Sequence, residues 1–444
     1  MMIQRALLRI AALFMAVFCA TALPAVAGPV QIDIYGPGQG SLSLAMASPL
    51  GTTPGVAASG MGPQLNQHIH ENLSFLPFLR LVEPQAILGG TVLAGYKGTD
   101  VDFKRFQLAG ADLLVTAGWP SGDAGSGSFV ELRVFEAYSG KLVFGKAYSN
   151  IEQGQLPDVA DRFCSDLMKA LTGHGEFFKS TLAFVKQDGK HKRDVWLSKP
   201  TGRDARRITN MPGEAMSPSW SPDGRFVVFS HFDDRSHALG VWDRLTRQVQ
   251  RIRFPGNTVI APAFLPDNKV AVSLSSGRNP DIFLLNHVFQ RERPLEENSS
   301  INVSATFDAT GTKMAFCSSR LGGPQIFLKD LTTGQVQRVS KNGNYNTEPS
   351  LSPDGTLIAF TRMTDYGQRI FVYDMVTGLE RQVSFGPGRD EQPAFGPDSY
   401  FVAFTSDRNG PKQIYLITRH GGDPKRVPTG GGDASFARWG MIPE

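Results

Sequence analysis

A repeat with a period of about 44 residues limits the fold of this chain more than any other feature of its sequence. The segment Ser-Pro-Ser-Trp-Ser-Pro-Asp-Gly, which contains Trp220, returns in related form along the second half of the chain. The large apolar residue of each copy follows the previous one by 44, 43, 44, 44 and 44 positions, in the order Trp220, Phe264, Phe307, Leu351, Phe395 and Trp439. A constant period of this length indicates structural units that pack against their neighbours.

Each copy of the repeat predicts four short strands. The first strand carries the large apolar residue and ends at a Pro-Asp-Gly turn, where proline presets φ and glycine accepts a positive φ. The second strand is a continuous apolar run such as 226–229, and the third contains a pair such as Ile370 and Phe371. The fourth strand, as at 336–339, is polar and resembles an edge strand. Four strands per unit are typical of a β-propeller blade.

The two ends of the repeat region complete one blade between them. Residues 182–185, 195–196 and 206–209 match the second, third and fourth strands, but no first strand precedes them. The missing first strand matches residues 436–439 at the C-terminal end. The sequence therefore predicts an all-β, six-bladed β-propeller over 176–444, closed by pairing of the C-terminal strand with the first blade.

Residues 28–175 lack the repeat and mix helical and strand patterns. The segment 157–171 is apolar on one face at helical spacing, whereas 129–135 and 142–148 predict a hairpin. These patterns predict a small N-terminal α/β domain, joined to the propeller near 173–175.

The first 27 residues have the pattern of a cleaved secretory signal peptide. Arg5 and Arg9 precede the apolar run 10–22, and Ala25-Val26-Ala27 provides a cleavage site. We expect the mature chain to begin at Gly28 and to be periplasmic. The apolar run is shorter than the roughly 20 residues that span a bilayer, so we expect no stable membrane span.

No motif in the sequence indicates catalysis, a cofactor or a metal site. The chain contains no Gly-x-Ser-x-Gly elbow and no phosphate loop, and its eight histidines lack ligand spacing. Asp223, Asp267, Asp354 and Asp398 occupy equivalent turns, which they are expected to cap. We therefore expect a protein without enzymatic activity. A periplasmic propeller enzyme of the lyase or peptidase type is the alternative.

The balance of charges argues against a nucleic-acid partner. Without Arg5 and Arg9 the chain keeps 43 of its 45 Lys and Arg residues against 41 Asp and Glu, a formal charge near +2. Binding to nucleic acid usually requires a clustered excess of basic residues.

The residues just before each first strand differ between repeats. First strands lie nearest the propeller axis, so these residues are expected to surround the mouth of the central channel. They include carboxylates, amides and one apolar edge, which suit an extended peptide or a protein loop. A ring of solvated residues without a partner is the alternative.

The signal peptide, the α/β domain, the Ser-Pro-Asp-Gly repeats and the closing Phe-Ala-Arg-Trp at 436–439 resemble the TolB family across nearly the whole chain. This resemblance implies a periplasmic protein-binding scaffold of the Tol-Pal system. Such a scaffold supports outer-membrane integrity and constriction during cell division.

The resemblance also implies two partner-binding sites. The channel mouth is expected to bind a Pal-like peptidoglycan-associated lipoprotein, and bacteriocins use the same surface in that family. The rim residues expected to bind it are Asn257, Ile260, Ala261, Val303, Asn346, Thr347, Glu348 and Glu391. A TolA-like inner-membrane protein is expected to bind the start of the mature chain, through Gly28, Val30, Ile32 and Ile34.

Removal of the last ten residues, 435–444, tests the predicted closure. Because this deletion removes the strand that completes the ring, we expect the whole propeller to be destabilised. Thermal unfolding of the full-length and truncated mature chains measures the effect. An unchanged melting temperature would contradict closure by the C-terminal strand.

Overall fold

The structure is a computed structural model that describes residues 41–122, 128–187, 189–234, 236–256, 258–275 and 279–442. The predicted signal peptide, residues 1–27, lies outside the described residues. So do Gly28, Val30, Ile32 and Ile34 of the predicted N-terminal binding segment, and Asn257 of the predicted rim.

The N-terminal part is a mixed sheet with helices, as the sequence predicts. Its strands are β1 (Leu42–Met46), β2 (Leu79–Leu81), β3 (Leu113–Gly118), β4 (Phe129–Glu136) and β5 (Leu142–Ser149). Its helices are α1 (Met61–Ser74), α2 (Phe103–Leu108) and α3 (Leu156–Thr172), with 3-10 turns at Pro84–Ala86, Gly98–Asp100, Gln153–Gln155 and Phe177–Lys179. The sheet order is β2-β1-β3-β4-β5, in which β1 is parallel to β2 and β3 and the other pairs are antiparallel.

Helix α3 joins this sheet to the rest of the core. Its apolar face, which includes Phe163 and Leu167, is fully buried. Gly173 follows the helix with a φ of 81°, a conformation that glycine adopts without steric cost. Helix α1 packs alongside, and the Asn72 side-chain amide donates a hydrogen bond of 2.9 Å to Asp161.

The rest of the described chain is a β-propeller built only of strands and turns. Its first eight strands are β6 (Ser180–Gln187), β7 (Arg193–Ser198), β8 (Arg206–Arg207), β9 (Glu214–Trp220), β10 (Phe226–Asp233), β11 (Ser236–Asp243), β12 (Val249–Ile252) and β13 (Thr258–Phe264). The next eight are β14 (Val270–Ser275), β15 (Asp281–Leu285), β16 (Arg291–Glu296), β17 (Asn302–Phe307), β18 (Lys313–Ser318), β19 (Gln325–Asp330), β20 (Val336–Arg338) and β21 (Asn346–Leu351). The last eight are β22 (Leu357–Thr364), β23 (Gly367–Asp374), β24 (Glu380–Gln382), β25 (Asp390–Phe395), β26 (Phe401–Ser406), β27 (Gln413–Thr418), β28 (Gly421–Arg426) and β29 (Ala434–Met441).

The strands pair in the order of the repeat. Four antiparallel sheets of four strands each follow one another: β13–β16, β17–β20, β21–β24 and β25–β28. The remaining strands form one sheet in the order β12-β11-β10-β9-β7-β6-β29, with β8 on β7. In this sheet β29 is antiparallel to β6, from Ala434 opposite Lys186 to Met441 opposite Ser180. The second strand of a repeat, such as β14 or β26, is buried along its whole length, which explains its unbroken apolar sequence.

The propeller has two faces, which we call upper and lower. The innermost strand of each repeat begins on the upper face, as at Asn346, and ends on the lower face, as at Leu351. The N-terminal part packs on the lower face. There Phe78 meets Tyr400 edge to face at 6.0 Å. Phe177, which follows the joint between the two parts, packs against Phe401 with tilted rings whose centroids are 4.3 Å apart. One continuous hydrophobic core therefore joins the N-terminal part to the propeller.

The aspartates of the repeated turns cap those turns, as predicted. One carboxylate oxygen of each accepts a hydrogen bond from the backbone N–H two residues later: Asp223 from Arg225, Asp267 from Lys269, Asp354 from Thr356 and Asp398 from Tyr400. No helix in the described part of the chain is both long and apolar enough to cross a membrane.

The stability of the contact between the two parts is expected to depend on pH through Asp398, which is fully buried on the lower face. Burial raises the pKa of its carboxyl to about 6, although two backbone N–H groups and His174 favour the charged form. An unfolded aspartate has a pKa of about 3.9, so the folded state binds this proton more tightly. The free energy of unfolding should therefore fall by about 2–3 kcal/mol between pH 4 and pH 7, relative to an Asp398→Asn variant.

Asp354→Asn provides the matched control, because Asp354 caps the equivalent turn of the preceding repeat. Burial opposes ionisation there too, but hydrogen bonds from Ser352 and Thr356 outweigh it and lower the pKa of the carboxyl. The Asp354 variant should therefore lose stability relative to the wild type as the pH rises, whereas the Asp398 variant should gain stability relative to the wild type. Denaturant unfolding at several pH values measures the free energy of unfolding of the wild type and of both variants. If this free energy changes with pH in the same way for the wild type and Asp398→Asn, Asp398 does not have the proposed effect.

Candidate partner-binding site at the channel mouth

One residue of every innermost strand has a left-handed backbone conformation. These residues occupy equivalent positions of the repeat, with φ between 44° and 60°: Ser217, Ala261, Ser304, Glu348, Gln392 and Phe436. The pairing with the second strand shifts register at the same point in each sheet. Each innermost strand therefore has a β-bulge, which bends the strand and changes the direction of its side chains near the axis.

The bulges are also where neighbouring repeats are joined. At three of the six bulges, a hydroxyl of the preceding repeat accepts the backbone N–H of the bulged residue, which the bulge takes out of the pairing of its own sheet. Ala261 donates to Ser230 Oγ at 3.1 Å, Gln392 to Thr361 Oγ1 at 3.2 Å, and Phe436 to Thr405 Oγ1 at 3.2 Å. Hydrogen bonds therefore fix these three innermost strands to the second strand of the preceding repeat, in addition to the apolar packing.

The structure brings six of the predicted rim residues to the upper end of the innermost strands. All six are partly exposed: Ile260 and Ala261 on β13, Val303 on β17, Thr347 and Glu348 on β21, and Glu391 on β25. They are contributed by four consecutive repeats and surround one side of the channel. Direct contact with a partner is compatible with their exposure, and it stays a prediction.

The seventh described rim residue, Asn346, is fully buried. Its amide donates to Gln325 Oε1 at 2.9 Å, and its oxygen accepts from Arg362 Nε at 2.7 Å. Arg362 in turn lies over the rings of Phe360 and Phe371 and pairs with Glu380 at 2.9 Å. We therefore assign Asn346 to holding the innermost strand in place, because its side chain has no exposed surface to offer a partner.

Glu348 lies at the rim, and hydrogen bonds hold its carboxylate in place. Its Oε2 accepts hydrogen bonds of 2.9 Å from the Gln392 N–H and from the Thr361 hydroxyl. Burial raises the pKa of this carboxyl above its usual value, and the nearby Glu391 adds to the shift while Arg438 opposes it. The side chain that the repeat places at the bulge therefore joins β21 to the next innermost strand and borders the channel.

Beside the rim, the upper face carries an apolar surface that the sequence analysis did not single out. Among the described residues, the large exposed apolar side chains of this face all lie between residues 301 and 385: Ile301, Leu321, Tyr345, Met363, Tyr366 and Phe385. We call these six residues the upper patch. Exposed apolar side chains that are concentrated on one face indicate an interaction site, whereas scattered ones do not.

Hydrogen bonds and close backbone contacts join the loops that carry the upper patch. The Met363 N–H donates to the Tyr345 carbonyl at 3.0 Å. Arg369 donates to the carbonyls of Gly386 and Gly388 at 2.8 and 2.6 Å, which fixes the loop after Phe385. Tyr345 is separated from the rim residue Thr347 only by Asn346. Hydrogen bonds therefore hold the loops of Tyr345, Met363 and Phe385 in place, and Tyr345 lies next to the rim in the sequence.

The described part of the chain contains no group of three or more His, Cys, Asp or Glu residues that could hold a metal ion. The polar groups near the channel instead form hydrogen bonds with one another, as Glu348 and Thr361 do.

Three comparisons with known proteins agree on the fold and the family. A family model described as the TolB beta propeller domain matches residues 168–369. The Tol-Pal system protein TolB of Nitratidesulfovibrio vulgaris is 81% identical over 307 residues, which cover 69% of this chain and 69% of that protein. A protein TolB homolog of Chlorobium luteolum is 30% identical over 291 residues, which cover 66% of this chain and 65% of that protein. The crystal structure of TolB from Acinetobacter baumannii superposes with a TM-score of 0.78 at 20% identity, covering 91% of this chain and 98% of that one.

The fold and the upper-face rim define a β-propeller binding protein. The N-terminal α/β part, the predominance of strands and the superposition agree with this class. With 81% identity over more than two thirds of its length to one TolB protein, the chain belongs to the TolB family. Membership of this family confirms the prediction that the chain is not an enzyme, and the lyase or peptidase alternative is wrong.

The strain at the bulges can be measured at Ala261, whose φ is 44°. A β-branched residue tolerates a left-handed backbone poorly. Ala261→Val should therefore lower the free energy of unfolding by about 1–2 kcal/mol more than Ala263→Val, two residues further along the same strand. Denaturant unfolding compares the two variants. Equal losses would show that the backbone conformation at position 261 carries no such constraint.

Proposed function

We propose that this chain is a periplasmic scaffold of the Tol-Pal system that supports outer-membrane integrity and constriction in cell division. The relatives named as Tol-Pal system proteins support the envelope role. In this proposal residues 1–27 are a cleaved signal peptide, residues 28–175 form the N-terminal α/β domain, and residues 176–444 form the propeller.

The proposed propeller has six blades that form a closed ring. The four separate four-stranded sheets account for four blades, and β9–β12 form a fifth. Strand β29 with β6, β7 and β8 forms the sixth, which a single bridge between Arg193 and Glu214 links to the fifth. In this arrangement the C-terminal strand closes the ring.

The upper face binds a Pal-like peptidoglycan-associated lipoprotein. One observation carries this part of the proposal: the partly exposed rim and the exposed upper patch lie together on the face opposite the N-terminal part. Aromatic and methionine side chains are enriched at the centre of protein interfaces, and polar groups surround them. Because hydrogen bonds already fix the loops of the patch, binding costs less conformational entropy there.

A TolA-like inner-membrane protein binds the start of the mature chain, through Gly28, Val30, Ile32 and Ile34. In the sequence 30–34, apolar residues alternate with Gln31 and Asp33. A bacteriocin that reaches the periplasm would compete with the lipoprotein for the rim residues, of which Asn257 is one by prediction.

The double variant Tyr366→Ser/Phe385→Ser tests the upper face. The two side chains are 85% and 63% exposed, so their replacement leaves the fold intact. Loss of two aromatic contacts should weaken binding of the lipoprotein's soluble domain by at least about tenfold. Isothermal titration calorimetry with the mature chain measures the dissociation constant.

Val376→Ser/Leu379→Ser is the matched control. These residues are 82% and 69% exposed and lie in the same repeat, but in the turn between β23 and β24 on the lower face. The control should bind within twofold of the wild type. A wild type that does not bind the lipoprotein would overturn the proposal, and equal affinities of the two double variants would remove the upper patch from the interface.

A further inference from the structure

A second ring of equivalent residues lies deeper in the channel than the rim. It consists of the residue two positions after each bulge: Ser219, Ala263, Thr306, Ser350, Ala394 and Arg438. Five of the six are small, and the sixth is an arginine. Two residues of extended strand place this ring about 7 Å below the bulges. A segment of a few residues can therefore reach it from the upper face.

Three of the small side chains of this ring accept hydrogen bonds from the next repeat. Ser219 accepts from the Phe264 N–H at 3.2 Å, Thr306 from Leu351 at 3.0 Å, and Ser350 from Phe395 at 2.9 Å. These side chains turn toward the innermost strand of the next repeat. The side chain of Arg438 is much longer than the serine and threonine side chains that reach the next innermost strand. Its charge interacts with Glu348, which belongs to a strand two repeats away. Its guanidinium therefore projects into the channel.

Arg438 lacks the carboxylate partner that comparable arginines have. Arg320, Arg362 and Arg408 each pair with a glutamate or aspartate at 2.7 to 2.9 Å. Within the described residues, Arg438 has no carboxylate oxygen within 4.0 Å, and its guanidinium donates to the carbonyl of its neighbour Ala437 at 2.9 Å. Glu348 attracts it from a distance, but that carboxylate already accepts hydrogen bonds from Gln392 and Thr361.

This arrangement leaves a partly buried positive charge without a directly paired carboxylate. Burial lowers the pKa of Arg438, which reflects the cost of holding the charge away from bulk water. The side chain keeps some exposed surface, so a ligand that enters the channel can reach it. A carboxylate matches the planar guanidinium with two parallel hydrogen bonds, and such a pair is strong where water is excluded.

We propose that Arg438 binds a carboxylate side chain on a loop that the partner inserts into the channel from the upper face. This inference rests on the proposed function, because the loop belongs to the lipoprotein that binds there. The rim and the upper patch contact the body of the partner, and Arg438 selects the residue that enters furthest. Glu348, a fixed carboxylate nearby, disfavours a second acidic residue on the same loop through charge repulsion.

Arg438→Met tests the inference by removing the charge while keeping an unbranched side chain. Binding of the lipoprotein's soluble domain should weaken by at least about tenfold, and its affinity should depend less on salt concentration. Arg438→Lys keeps the charge without the planar fork and should still weaken binding, by about threefold to tenfold. Isothermal titration calorimetry at several salt concentrations measures these effects.

Arg253→Met is the control for net charge, since Arg253 is exposed and follows β12 at the outside of the propeller. It should bind within twofold of the wild type. Melting temperatures report whether the Arg438 variants fold, and we expect Arg438→Met to be at least as stable as the wild type because an unpaired charge is lost. If the wild type binds and both Arg438 variants bind equally well, the inference is wrong while the proposed function stands. If the wild type does not bind, both are wrong.

Discussion

The structure depends on the contact between successive innermost strands around the axis. Each innermost strand bends at a residue with a left-handed backbone conformation. At three of these bulges the hydroxyl of Ser230, Thr361 or Thr405 in the preceding repeat accepts the backbone N–H of the bulged residue. Without such acceptors, buried N–H groups would remain unpaired, at a cost of about 1–3 kcal/mol each. The same bend directs the rim side chains toward the channel, so the constraint that holds the repeats together also shapes the candidate site.

The two faces of the propeller differ because of what covers them. On the lower face, Phe78 of the N-terminal part packs on Tyr400, and Phe177, which follows the joint between the two parts, packs on Phe401. The apolar surface there is buried. On the upper face, Tyr366 and the other residues of the upper patch remain exposed. This difference between the faces supports the proposal that the partner binds at the open end of the channel.

Much of this arrangement could be predicted from the sequence, because the repeat fixes which residues are equivalent. The 44-residue spacing identified the strands, the capped turns and the upper ends of the innermost strands, including Thr347 and Glu348. Burial of Asn346 could not be predicted, because it depends on Arg362 and Gln325, which only the folded blade brings together. The exposure of Phe385 could not be predicted either, because the sequence alone does not distinguish an exposed apolar residue next to a strand from a buried one. The repeat alignment did contain one unused signal, which is that Arg438 stands where the other repeats have small residues.

Amide hydrogen exchange of the mature chain, with and without the lipoprotein's soluble domain, shows which face of the propeller binds the partner. We expect slower exchange in the upper-face loops that carry Tyr345, Tyr366 and Phe385, and in the upper ends of β21 and β25. We expect unchanged exchange in the lower-face turns, such as the turn that contains Val376. Protection confined to the lower face or to the N-terminal part would contradict binding at the upper face.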